Sequence, residues 1–138
     1  MLTAVDKRIK TFVLMGLTDR YTTHVEKNQS DFWKAYRDSM SKEELTETLE
    51  LMRVTDPDQF LPRSAPARLF FQCARFDMDD VKQACELAYR AAAEPKQLRW
   101  YEVEHNFENA EASVDRLAWL AERLRLKGFG QTLGRTTR

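Results

Sequence analysis

Two residues stand out for the chemistry they could do together. Asp77 follows the apolar run Ala67–Cys73 (ARLFFQC), His105 follows the run Gln97–Val103 (QLRWYEV), and 28 residues separate the two. If both runs are strands of one parallel sheet, both side chains fall at C-terminal strand ends, where open sheets of this kind bind ligands. A carboxylate beside an imidazole fixes its tautomer and stabilises the imidazolium when the histidine works as a base. Asp79 and Asp80 compete for the acid role, although their place just before Val81 also suits a helix N-cap. His24 lies in the polar, Thr-rich stretch Leu17–Asn28 and reads as a solvated loop histidine.

Other chemistries have less support. Cys73 and Cys85 are twelve residues apart in apolar surroundings, with neither the spacing of a zinc site nor enough partners for a disulfide framework. They read as two buried small hydrophobes. No cofactor or metal is expected. The 138 residues carry 22 basic and 22 acidic side chains, so no electrostatic footprint for nucleic acid is present. Apolar runs reach about five residues, far short of the roughly 20 that span a bilayer. The N-terminus has charges but no apolar stretch after them, and a cytoplasmic location is expected.

The elements that must position Asp77 and His105 read as follows. Ile9–Met15 (IKTFVLM), closed by Gly16, is a nearly continuous apolar run and fits a strand buried on both faces. Ser30 caps a helix with Phe32, Trp33, Tyr36 and Met40 on its apolar face. Ser41 and Glu44 form a capping box ahead of a helix carrying Leu45, Leu49 and Met52. Asp56-Pro57 opens a short turn. Ala67–Cys73 and Gln97–Val103 are the second and third strands, separated by a helix over Val81–Ala93. The last helix runs from about Glu108 to Leu126. Residues 1–127 form one domain and 128–138 a flexible tail. Strands alternating with helices predict an α/β fold, a partial doubly wound sheet of about three parallel strands flanked by helices. The first strand is too apolar for an exposed edge. It is expected to pair either with a second copy of the chain in a homodimer or with a missing half.

Specific stretches add a family resemblance covering roughly residues 2 to 126. Leu69–Asp77 (LFFQCARFD) is similar to the strand that ends in the triad acid of α/β-hydrolases, above all the dienelactone hydrolase and acyl-esterase branch. Glu94-Pro95-Lys96 and Trp100–His105 (WYEVEH) resemble the strand leading to the triad histidine. Asp115–Leu120 (DRLAWL) resembles the final helix, and Ala4–Lys10 (AVDKRIK) the segment entering the strand after the nucleophile helix. The resemblance implies Asp77 as triad acid, His105 as general base, and a small acyl or carboxylate ligand. It also implies helices inserted as a lid, in which Trp33 and Tyr36 line an acyl pocket unless they are simply core. The departures are equally specific. No G-x-S-x-G nucleophile elbow occurs, no oxyanion-hole loop is present, and Glu104 stands where the family usually has Gly. Ester hydrolysis by this chain alone is therefore not expected. Two readings follow: a hydrolase part completed by a nucleophile-bearing half, or a non-catalytic interaction module that completes its sheet as a homodimer. A small-molecule binder using the Asp77–His105 crevice is a third.

Overall fold

The computed structural model describes residues 2–17 and 20–126. Its centre is a three-stranded parallel sheet, in the order β1 (Thr11–Met15), β2 (Arg68–Ala74), β3 (Lys96–Tyr101). Phe70 of β2 lies between Val13 and Gln97, and Gln72 between Met15 and Arg99. From Leu69 to Ala74 every residue of β2 is buried, as the apolar run predicts for a strand covered on both faces. Alternation sorts its side chains. Phe70 and Ala74 enter one cluster with Tyr101, Val103, Phe107, Ala112 and Trp119. Leu69 and Phe71 enter another with Leu14, Leu61, Ala88 and Ala92.

The two layers of helix follow from those clusters. Helix α5 (Asp79–Ala91) presents Ala84, Cys85 and Ala88 to the sheet, and α6 (Ala110–Leu124) covers the opposite face with Ala112 and Trp119. Asn109 caps α6 by accepting a hydrogen bond from the Ala112 amide at 2.9 Å. The fold is thus α/β, three parallel strands with helices on both sides. Among the described residues no helix is long and apolar enough to cross a membrane. The tail 128–138 lies outside the described residues.

Strand β1 departs from expectation. Only Leu14 is buried, while Phe12 is 37% and Met15 40% exposed. The reason is position: β1 has β2 on one side and, among the described residues, no strand on the other. Its odd-numbered face is held by α6, where Thr11 accepts from the Trp119 indole at 2.7 Å and Val13 packs on the α6 cluster.

Before β2 the chain makes α1 (Leu2–Val5), α2 (Tyr21–Lys27), α3 (Asp31–Asp38), α4 (Lys42–Arg53) and two 3-10 turns, Pro57–Gln59 and Leu61–Arg63. The capping box of α4 forms as its sequence predicts, with Ser41 and Glu44 exchanging hydrogen bonds of 2.8 and 3.2 Å. Helix α2 replaces an expected loop. Its Thr22 amide and hydroxyl both donate to the buried Asp56 carboxylate, at 3.2 and 2.5 Å, so a tertiary anchor overrides weak local propensity. Helix α3 buries no residue, and its expected apolar face is not core: Phe32 is exposed, and Trp33, Tyr36 and Met40 are half-buried.

Tyr101, at the end of β3, supplies a pH test. Burial pushes its phenol up to about 12, an accepted hydrogen bond from Gln72 opposes the shift, and the Asp115 carboxylate adds to it. The folded value lies above the ordinary value of 10, so folding favours the protonated ring. That stabilisation is complete below pH 10 and is lost as pH rises through about 12. Urea unfolding between pH 10 and 12 should therefore show a steeper fall for the wild type than for Y101F; parallel curves would disprove the coupling.

Candidate functional site: an acid–histidine pair at the strand ends

The β2–β3 ladder continues past both strands and delivers Asp77 to the end of the sheet. The Arg75 amide donates to the Tyr101 carbonyl at 2.9 Å and the Phe76 amide to that of Val103 at 3.0 Å. Asp77 comes next. Its Oδ1 accepts the Met78 amide at 2.9 Å, which ties the carboxylate to the N-cap of α5. His105 arrives from β3 on a loop anchored at both ends, since Val103 and Phe107 are buried in the α6 cluster. Phe107 adopts φ 54°, a left-handed conformation that is an outlier for a bulky residue.

These two supports bring the predicted pair together. His105 Nδ1 donates to Asp77 Oδ2 at 2.9 Å. The Asp77 side chain is 2% exposed and the His105 ring 63% exposed. An ionised carboxylate only accepts, so the bond fixes the proton on Nδ1 and leaves Nε2 with its lone pair. Among the described residues Nε2 has no hydrogen-bond partner. Gly16, at the end of β1, makes room for the ring. It has φ +52°, and a Cβ built on it would stand 3.1 Å from His105 Cε1.

The competing residues sit elsewhere. Asp79 is fully exposed and pairs with Lys82 at 2.7 Å, which lowers its carboxyl below the usual range, chiefly through that hydrogen bond. Asp80 lies 3.7 Å from His24. Neither caps α5: its N-cap is Met78, and both acids lie in the first turn. His24 belongs to α2, not a loop. It lies 3.4 Å from the Asn28 amide and edge-on to Trp33, and it lines a cleft of about 690 Å³ between α2 and α5 that includes neither Asp77 nor His105.

No described side chain completes a nucleophile–base pair. Ser39 and Ser64 donate to backbone carbonyls, Ser41 serves α4, Ser113 accepts from Arg116, and Ser30 is the N-cap of α3. Cys73 and Cys85 are both buried, as expected, but they are not separate thiols: a disulfide joins them, with Cα atoms 6.2 Å apart. The reason is topological, since Cys73 of β2 faces the layer in which α5 packs. Among the described residues no group of three His, Cys, Asp or Glu side chains is arranged to hold a metal. Gly16 and Phe107 support His105 without being marked for that role by any motif. A glycine directly after a strand was the available signal for the first, and a buried aromatic inside a polar turn carries none.

No protein-family model matches this chain, and no curated protein matches it either.

Gly16→Ala tests the packing of the pair. A left-handed alanine costs roughly 1–2 kcal/mol, and its methyl group displaces a ring that is free to move outward. Urea unfolding should show a loss of about that size, with His105 imidazole resonances shifted and those of His24 unmoved. Unchanged His105 resonances would contradict the contact.

Proposed function

We propose that this chain supplies the acid–histidine part of a carboxylic-ester hydrolase site of the α/β-hydrolase type, resembling the dienelactone hydrolase branch. A complementary half carries the nucleophile. The observation that supports this reading is the Nδ1–Oδ2 hydrogen bond of 2.9 Å between an exposed His105 and a buried Asp77. With Nδ1 protonated, Nε2 takes the proton of an incoming hydroxyl nucleophile and later returns it to the leaving alkoxide. Asp77 holds the tautomer and stabilises the imidazolium between those steps. The oxyanion donors and the walls that exclude water belong to the complementary half, and the ligand is a small acyl ester or its carboxylate product. A cytoplasmic setting is part of the proposal.

Mixing the chain with a polypeptide carrying the G-x-S-x-G half should raise p-nitrophenyl acetate hydrolysis well above either part alone. In the mixture H105A should abolish the gain, and D77N should reduce it by on the order of 10⁴-fold, as loss of the tautomer does in triads. Turnover indifferent to both substitutions, or none in the mixture, would sink the proposal.

The edge position of β1 favours a second reading, a non-catalytic module that completes its sheet as a homodimer. Two copies related by a twofold axis would pair their β1 edges antiparallel. Light scattering should then give about 32 kDa, twice the 16.2 kDa chain. F12K, at an exposed apolar position on the face of the edge away from α6, should halve it. Val13 is a poorer probe because it also packs on the α6 cluster. A wild-type mass near 16.2 kDa would exclude the dimer.

A further inference from the structure

The Cys73–Cys85 bridge encloses the residue on which the site depends. The chain leaves Cys73 on β2, turns through Asp77 and returns at Cys85, in the second turn of α5. What holds the two halves of α5 differs. Ala88, Ala92 and the half-buried Tyr89 and Ala91 dock its C-terminal half into the cluster of Leu61, Leu69 and Phe71. In the N-terminal half only Ala84 and Cys85 are buried, and an alanine methyl offers little apolar area. The N-cap directly before that half, Met78, donates the amide that orients the Asp77 carboxylate. Among the described residues the covalent link is the one bond between the sheet and the N-terminal half of α5.

We infer that the Cys73–Cys85 pair is a thiol–disulfide switch that positions Asp77 against His105: bridged, the pair is aligned; reduced, it is released. This rests on the hydrolase-type reading for its consequence, since a released His105 loses the fixed tautomer a general base needs. The exchange is balanced by a dithiol reductant. Two electrons and two protons pass to the Cys73 and Cys85 sulfurs, the S–S bond breaks, and the dithiol closes into its own disulfide. In a reducing compartment disulfides are characteristically catalytic or redox-sensing, which is the setting such a switch needs. Both cysteines are buried, so reduction proceeds through opening of the N-terminal half of α5, the same motion that frees Asp77.

Nitrogen-15 NMR of the two imidazoles at pH 8 reads this directly, with His24 as internal control. In the oxidised chain His105 should carry its proton on Nδ1 alone. Reduction with dithiothreitol, or C73A/C85A, should convert His105 to the mixed-tautomer pattern of D77N and leave His24 unchanged. A reduced or C73A/C85A chain that keeps the single tautomer overturns the switch and makes the bridge a passive staple. Global unfolding of both by circular dichroism overturns it as well. If the oxidised wild type already matches D77N, the acid–histidine pair itself is absent, and the hydrolase-type reading falls along with the switch.

Discussion

A single buried amide holds both stems of the loop that carries His105. Gln72 lies in the middle of β2 with no exposed surface. Its Nε2 donates to the Tyr101 hydroxyl at 2.9 Å and to the Ala112 carbonyl at 2.7 Å, and its Oε1 accepts from Arg116 at 3.2 Å. Tyr101 ends β3 and Ala112 lies in the first turn of α6, so the residues on either side of the His105 loop answer to one side chain. Tyr101 passes the constraint on by donating to Asp115 at 2.8 Å, and Arg99 pairs with the same carboxylate. An unpaired amide here would cost about 1–3 kcal/mol. The satisfied network instead fixes how α6 sits on the sheet, and through α6 where β1 and Gly16 lie.

That rigidity contrasts with the openness of the site. A hydrogen-bonded pair with one partner 63% exposed gains little on its own, and general-base catalysis gains most where water is excluded. The chain has aligned two groups without enclosing them. Its remaining apolar surface points the same way: Phe76 and Met78, on either side of Asp77, are exposed, as are Phe12 and Met15 on the β1 edge. Apolar side chains next to a pre-aligned pair are what a covering surface would use. A complementary half and a second copy are the two coverings proposed above for this surface.

The strands and the pair were legible in the sequence because both follow from short rules. LFFQCA is continuously apolar, so it reads as a doubly covered strand, and residues directly after such strands fall at the binding end of a parallel sheet. What escaped depends on contacts between distant segments. YTTHVEK is a poor helix by itself and is made one by Asp56, 34 residues downstream of Thr22. The disulfide depends on which face of β2 Cys73 occupies and on how α5 crosses it, neither of which twelve residues of spacing encode. The apolar spacing of α3 suggested core packing, yet its helix lies outside both core clusters, because periodicity states which residues share a face and not whether anything covers it.

Several costs of this fold fall where it positions His105. Phe107 holds a left-handed backbone at φ 54°, a conformation that costs a residue with a Cβ roughly 1–2 kcal/mol. Asp77 gives up hydration to sit at 2% exposure, and it receives two hydrogen bonds in return, from the Met78 amide and from His105. Gly16 takes a positive φ that leaves the space a side chain would have filled with imidazole. Local preference is met at the Ser41 box and the Asn109 cap, and overridden in α2 and at the left-handed Arg125 that ends α6. Departures from local preference that converge on one side chain are the pattern expected at functional sites, where strain persists only because the surroundings over-determine it. Here the surroundings are Gln72 beneath the loop and the Cys73–Cys85 bridge behind the acid, which together hold the geometry against the strain.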